Sequence, residues 1–478
     1  MAKNIVIFSD GTGQAGGLRP DQQLTNIYKL YRACRTGPES PINPSEQVAF
    51  YDAGLGTEAD AGGIPLQAVQ MLSKTASAAT GRGISRNITN CYEAILTHYE
   101  RGDRIFLFGF SRGAYTIRCV SGVLGLCGIP ASGPDGTPLP RYGRALREIA
   151  EEAVSKVYEH GAGRDRVKFQ PEREEQARRF RARYESDEGG EANTVPYFIG
   201  VFDTVASLGS KGLSRALDFL LLGGTIAIPC LVASAMLKLA LDVDFWSSFY
   251  WLVFVVGLWA AVHTFRSSLK VIKDFPLPGQ TQWHFAGWRS GFYDLNLNKR
   301  VRAARHALAI DETRSDFARV PWGFKGEIEP RPDAPEWLQQ FWFAGNHSDI
   351  GGSYPEVESR LSDTALDWMI EEVTKMPHPL QVNQKGLHLF PDASGMQHSE
   401  VESARQKWPK WIPAKWALTW KEKPRAEALG APWHKSVESR FAMSEVTQFA
   451  TRGPYRPGTL RYDQRVATLY QTTPPATH

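Results

Sequence analysis

Arg104-Ile-Phe-Leu-Phe108 runs directly into Gly109-Phe-Ser-Arg-Gly113, and an apolar helical stretch follows to about Leu126. An apolar β run, a Gly-x-Ser-x-Gly turn and a helix form a pattern that lifts a serine hydroxyl above the edge of a sheet. The turn is sharp, so the residues two places either side of Ser111 must be small, and Gly109 and Gly113 meet that need. The pentapeptide alone is common by chance. Its flanks make Ser111 a candidate nucleophile.

A serine nucleophile needs a base to take its proton and a carboxylate to hold the base's tautomer. In the α/β-hydrolase arrangement the chain order is serine, acid, histidine, each at the C-terminal end of a strand. Val195–Phe202 reads as a buried strand ending in Asp203-Thr-Val, and Phe341-Trp-Phe-Ala344 as a last strand before Gly345-Asn-His-Ser-Asp-Ile-Gly-Gly352. Asp203 is therefore the candidate acid and His347 the candidate base. Asp349 is the rival acid, although it stands only two residues from His347. An oxyanion needs two backbone N–H groups. Arg112 supplies one, and Gly11 or Thr12, after the first strand, the other.

The rest of the chain agrees with a mostly parallel α/β sheet covered by helices on both faces. Lys3–Phe8 and Gln47–Tyr51 read as strands, and Gln22–Cys34 as a helix. Ile84, Ile88, Cys91, Ile95 and Tyr99 recur with helical spacing. Arg300–Ile310 and Asp363–Val373 also read as helices, and residues 58–83 as a loop with one helix. Residues 138–190 are strongly charged and read as a solvated excursion. Residues 376–478 are rich in Pro and Trp and read as an irregular cap. The expected organisation is a first hydrolase part at 1–210, an inserted helical hairpin at 216–268, a second hydrolase part at 280–375, and the cap.

The hairpin is the local exception to a mean hydropathy of −0.33. Phe219–Leu237 and Phe245–Phe265 contain no Asp, Glu, Lys or Arg. Nineteen helical residues span roughly 28 Å, about one bilayer core. Trp246 and Tyr250 lie where an interfacial belt would fall, and the glycines and Pro229 of the first span are better tolerated in lipid than in water. Lys211 and Arg215 precede the pair, and Arg266, Lys270 and Lys273 follow it. The positive-inside rule then puts both flanks, and the hydrolase body, on the cytoplasmic side of a two-pass protein. Met1-Ala-Lys-Asn leads straight into a β run, unlike a secretory leader.

Other classes are disfavoured. With 55 Lys+Arg against 51 Asp+Glu, the net charge of +4 is too slight and too dispersed to argue for nucleic acid. The five cysteines have no CxxC spacing and read as buried small apolar residues. Asp10-Gly-Thr-Gly13 lacks the second half an aspartyl protease needs, and no GxxxxGK[ST] phosphate loop is present. No metal-ligand spacing is evident, so no metal or cofactor is expected. A homo-oligomer is compatible with the sequence.

Several segments in the same order resemble one family. They are Phe8-Ser-Asp-Gly-Thr12, Gly102-Asp-Arg-Ile-Phe-Leu-Phe-Gly-Phe-Ser-Arg-Gly-Ala114, Gly200-Val-Phe-Asp-Thr-Val205, Ala304-Arg-His-Ala-Leu-Ala-Ile-Asp-Glu312 and His347-Ser-Asp-Ile-Gly-Gly352, with weaker echoes at His434-Lys-Ser-Val437 and Tyr455-Arg-Pro457. Together, over roughly 3–205 and 290–375, they are similar to the α/β-hydrolase family that includes the first class of type VI secretion lipase effectors. The resemblance implies hydrolysis of phospholipid carboxylesters at membranes, with Ser111 as nucleophile, His347 as base and Asp203 matching the Asp-Thr-Val segment. His306 also matches a family position and reads as helical packing. A bacterial inner-membrane enzyme is expected, acting as a resident hydrolase or as an antibacterial or self-directed effector. The alternative is a membrane-tethered scaffold or pore-forming protein with a non-catalytic body.

Overall fold

The structure is a computed structural model, and residues 2–14, 16–17, 23–54, 82–205, 213–287, 295–323, 335–408 and 420–470 are described. The loop-and-helix reading of 58–83 falls almost wholly outside them.

Six strands form one parallel sheet: β1 (Asn4–Ser9), β2 (Gln47–Asp52), β3 (Arg104–Phe110), β4 (Phe198–Phe202), β5 (Ala303–Ala309) and β6 (Leu338–Phe343). Their spatial order is β2-β1-β3-β4-β5-β6. The order reverses between β1 and β3, and in such open sheets the crevice at the strands' carboxyl ends is where ligands bind. The register brings those ends level. Ser9 lies opposite Gly109, Phe110 opposite Phe202, Phe202 opposite Ala307, and Ala309 opposite Phe343.

Helices cover both faces. On one, α2 (Arg82–His98) and α3 (Arg112–Cys127) pack Ile88, Ile95, Val120 and Leu124 onto Ile7 and Leu107. On the other, α1 (Asn26–Cys34) and a helix at Arg360–Thr374 pack Ile27, Leu30, Leu366 and Met369 onto Phe8 and Phe108. The Thr25 side chain caps α1 by accepting from the Tyr28 N–H, 3.0 Å away.

Three expectations change. Arg300–Ile310 is not a helix: β5 occupies its centre, and all seven of its residues are buried. Ala, Arg and Leu favour helices, but a strand buried on both faces loses the alternation that would mark it. Residues 138–190 are helical but not simply solvated, since Tyr158, His160, Arg173 and Arg181 are buried. The C-terminal region is short in regular structure, yet it has its own core. Ala428, Trp433, Val437, Phe441 and Tyr455 pack on Leu308 and Trp342 at the β6 edge. There the Trp342 N–H donates to Pro432 O (3.1 Å) and Trp342 O accepts from the His434 N–H (2.9 Å). The five cysteines are buried and free.

Between β4 and β5 come two long consecutive helices in mutual contact, Leu213–Leu241 and Phe245–Ser268. By length and composition, the second is long and apolar enough to cross a membrane, with a mean hydropathy of 1.7, while the apolar part of the first among the described residues is Ile226–Leu241. Their polarity is inside-out for a water-soluble pair. The described residues they bury are Cys230, Ser234 and Ser248, whereas Trp246, Tyr250, Trp251, Phe254 and Trp259 are exposed.

The turn after β3 leaves no room for side chains. A Cβ on Gly109 would sit 2.6 Å from Ala114 Cα, and one on Gly113 would overlap the Ser9 and Asp10 carbonyls. A Cβ on Gly200 would instead meet the Met369 and Phe108 side chains at 2.6 and 2.7 Å, and these can shift. Gly200→Ala is therefore expected to cost about 1–3 kcal/mol and Gly113→Ala more. Thermal unfolding of the two variants checks this, and equal losses would refute the packing argument.

Candidate active site

Ser111 sits between β3 and α3 with φ 59° and ψ −122°. That conformation is costly for an L-residue and persists only where the surroundings impose it. Here they do, because the Ser111 N–H continues the ladder to Phe202 O (3.1 Å) while Gly113 lies against β1's end. Asp203, the residue after β4, also has a positive φ, 36°, and its N–H donates to Ala307 O at 2.7 Å. His347 begins a short helix, His347–Gly351, capped by Asn346.

These three residues converge. His347 Nδ1 lies 2.5 Å from Asp203 Oδ2. Ser111 and His347 line one cavity of about 540 Å³, together with Gly11, Thr12 and Arg112. Phe110 and Phe317 flank the imidazole at ring-centroid distances of 4.6 and 5.0 Å. The ring is thus held by packing on its faces and by a carboxylate at Nδ1, which leaves Nε2 to act as base on a serine.

Asp203 is fully buried, and a carboxylate there needs compensation. Arg425 provides it, with Nη1 2.5 Å from Oδ1 and Nη2 3.0 Å from Oδ2. The Ala309 N–H adds a third donor at 3.1 Å. Burial alone would raise the carboxyl's pKa. The Arg425 charge and the hydrogen bonds from His347 and Arg425 outweigh it and hold Asp203 well below the usual carboxylate range. Arg425 carried no sequence signal. It lies in the charged run Lys421-Glu-Lys-Pro-Arg425, 222 residues from its partner.

The rival acid is turned elsewhere. Asp349 accepts from the Asn346 N–H (3.0 Å) in a capping box and pairs with His398 Nδ1 (2.7 Å), so the structure does not bring it to the His347 ring. Burial raises the Asp349 pKa, and the His398 contacts oppose that rise. The position two residues after His347 is thus a brace for the loop. Glu312, missed in the sequence reading, is a second brace: it accepts from the His347 N–H (3.3 Å) and pairs with Arg314 at 2.6 Å.

Of the oxyanion candidates, Gly11 is engaged by its own neighbour. Its N–H donates to Asp10 Oδ1 at 2.7 Å, while Asp10 Oδ2 accepts from Thr25 (2.5 Å) and Tyr51 (2.7 Å). Burial pushes the Asp10 carboxyl up to about 6 against those hydrogen bonds. Thr12 and Arg112 line the cavity. The Arg112 side chain is half-buried there, and among the described residues it has no ion-pair or hydrogen-bond partner. Burial pushes its pKa down to about 10. His306 lies on β5, not on a helix. Its Nε2 accepts from the Thr204 N–H at 3.2 Å and its ring meets Trp322, which makes it a support beneath the acid.

The Asp203–Arg425 pair is open to direct measurement. Arg425→Ala strands a buried carboxylate and is expected to cost about 3–5 kcal/mol, whereas adding Asp203→Asn to it should recover part of the loss. Because the folded pKa of Asp203 is depressed, its stabilisation is fully present above the unfolded value of about 3.9 and disappears only as pH falls through strongly acid values. Denaturant unfolding of the single and double variants at pH 7 and pH 4 checks both points.

Comparison with known proteins places this geometry. The uncharacterized protein YEL023C of Saccharomyces cerevisiae is 30% identical over 134 residues, 27% of this chain and 18% of that protein. A crystal structure of an uncharacterized protein from Pseudomonas aeruginosa is similar at 15% identity and a TM-score of 0.33, covering 87% of this chain and 52% of that one. The Tle1 effector bound to the VgrG spike of the type 6 secretion system is similar at 16% identity and a TM-score of 0.25, covering 76% and 53%. The chain thus spans about half the length of these two solved proteins and under a fifth of the yeast one. The model of the Tle1-like phospholipase effector catalytic domain of type VI secretion matches residues 3–227 and 246–372, most of the chain. The chain therefore belongs to the family of Tle1-like phospholipase effector catalytic domains.

Proposed function

We propose that the chain is a membrane-anchored serine hydrolase that cleaves carboxylester bonds of phospholipids. The observation that carries this reading is the strained Ser111 sharing one cavity with a His347 whose Nδ1 is held by Asp203. Ser111 Oγ attacks the ester carbonyl, and His347 Nε2 takes its proton and returns it to the leaving alcohol. Asp203, kept ionised by Arg425, stabilises the imidazolium. The Arg112 N–H, with Thr12 the better-placed second donor, holds the oxyanion. Water then repeats the cycle to release the fatty acid. No step calls on a cofactor.

Phospholipid fits the cavity's chemistry. Arg112 lines the same cavity as Ser111 and carries a desolvated guanidinium with no side-chain partner among the described residues, and a guanidinium suits a phosphate. Anchoring rests on the two helices after β4. A pair that buries small residues and exposes large aromatic ones belongs in lipid. At 1.5 Å per residue the 24 residues of Phe245–Ser268 span about 36 Å. Val205 lines the cavity and the first of the two helices begins at Leu213, so at most about 28 Å of chain separates the site from the bilayer segment. We assign the body to the cytoplasmic side from the Lys and Arg of the flanks.

Ser111→Ala should reduce release of free fatty acid or lysolipid from phospholipid vesicles by roughly 10⁴-fold or more. Persistence of lipid turnover or toxicity in that variant sinks the hydrolase reading and leaves a scaffold or pore. Arg112→Gln keeps the backbone N–H. It should weaken turnover of phospholipid about 10–100-fold while leaving a short neutral ester nearly unaffected. Equal losses on both substrates would remove the phosphate role. Protease protection of the body in sealed membrane vesicles of known sidedness tests the orientation.

A further inference from the structure

Helix Phe245–Ser268 passes without a break into a two-stranded ribbon, Leu269–Lys273 with Thr281–Phe285. The ribbon is tied to the body. Lys270 Nζ donates to Ser155 O (2.7 Å), Arg164 Nε to Phe285 O (2.5 Å), and the Gly287 N–H to Ala162 O (2.9 Å). In the middle of these ties lie His284 of the ribbon, His160 at the end of the turn Tyr158–Gly161, and Glu172 in the second turn of helix Arg166–Tyr184.

The three side chains are 10%, 2% and 13% exposed. Each offers one ligand atom, and these atoms all lie within 4.8 Å of one another. His160 Nε2 is 2.8 Å from Glu172 Oε2, and His284 Nδ1 is 3.4 Å from the same oxygen. The other nitrogen of His284, Nε2, donates to His160 O at 2.6 Å. A neutral imidazole carries one N–H, so Nδ1 is left with a lone pair, buried and without a hydrogen-bond partner. A lone pair facing a carboxylate oxygen at that distance is repulsive, and either a second ring proton or a metal ion between the two atoms relieves it. A ring N–H donated to a backbone carbonyl, with the other nitrogen presented inward, is how metal-ligating histidines are oriented.

We propose that His160, Glu172 and His284 bind a divalent transition metal, zinc in the first instance. Two imidazoles and one carboxylate form a zinc ligand set that leaves a fourth position for water. Tetrahedral ligands around zinc stand roughly 3.3 Å apart, so the His284–Glu172 spacing of 3.4 Å already fits, the His160–Glu172 spacing of 2.8 Å must open, and the third spacing lies within 4.8 Å. Of the three, His160 also lines a cavity of about 740 Å³ with Lys270 and Ala286, so the ion would enter from the His160 side. The expectation of no metal came from sequence spacing, because His284 is 124 residues from His160. The ion would clamp the foot of the apolar helix to the hydrolase body. This is a structural role, independent of the chemistry at Ser111.

The test uses the full chain in detergent, without a histidine tag, stripped with a chelator and titrated with zinc or with cobalt(II) as a spectroscopic probe. The expected result is one equivalent bound, a four-coordinate cobalt spectrum, and a rise in Tm of about 3 °C at a hundredfold excess over Kd. Ser111→Ala should behave as wild type. Glu172→Gln, which keeps shape and hydrogen bonding, and His284→Ala should lose the spectrum and most of the Tm shift. If zinc leaves Tm unchanged, or moves wild type and both variants alike, the site does not exist. A triad that is only a hydrogen-bonded brace gives that second result, with Tm lowered in the variants before any metal is added.

Discussion

A carboxylate with no exposed surface organises this molecule. Asp203 sits where β4 ends, with no surface of its own exposed, and an isolated charge there would cost many kcal/mol. Its compensation comes from far along the chain: the imidazole of His347, the guanidinium of Arg425 and the Ala309 N–H. Each donor fixes a different segment. His347 fixes the loop after β6, Ala309 the end of β5, and Arg425 a stretch of the C-terminal region with little regular structure of its own. Arg425 also donates to Ala309 O (3.2 Å) and Phe317 O (2.7 Å), so one side chain ties the acid, the sheet edge and the loop that carries Phe317. That loop in turn places an aromatic edge against the His347 ring.

The serine depends on the same economy of space. Ser111 can hold a positive φ only because Gly109 and Gly113 let helix α3 and the end of β1 approach within backbone contact. Asp10, on that β1 end, spends its carboxylate on Thr25, Tyr51 and its own neighbour's N–H, which shapes the loop bearing Thr12. Strain at Ser111 and burial of Asp203 are therefore two results of one arrangement, a parallel sheet whose strands end level at a topological switch point.

Ser111, Asp203 and His347 could be read from the sequence because each follows an apolar run, and strand ends are marked by where such runs stop. The elements misread lack that contrast. Strand β5 is built from Ala, Arg, His and Leu, buried on both faces, so neither propensity nor period marks it. Asp349 is adjacent to His347 in sequence, but a helix cap turns its carboxylate toward Asn346 and His398. Arg425, Glu312 and the His160–Glu172–His284 group are brought to their partners by the fold from segments without a local motif for those pairings, His160 and Glu172 from a charged stretch that reads as solvated. Pairings of this kind depend on packing that no local pattern encodes.

The two apolar helices complete the arrangement through where they are inserted. They leave the sheet just after Asp203 and return before β5, whose end donates to that same acid. Any force that bent the helices relative to the body would act on the strand ends flanking the buried carboxylate. The ribbon that follows Ser268 meets this by pinning the returning chain to Ser155, His160 and Ala162 before it re-enters the sheet. Cys230, Ser234 and Ser248 are the small residues buried where the two helices are in contact. An apolar element tied to the body at its foot and joined by short chain to the candidate site's edge would hold that site near any surface the element enters. On the reading proposed above, the site's height at that surface would decide which ester of a lipid comes within reach of Ser111.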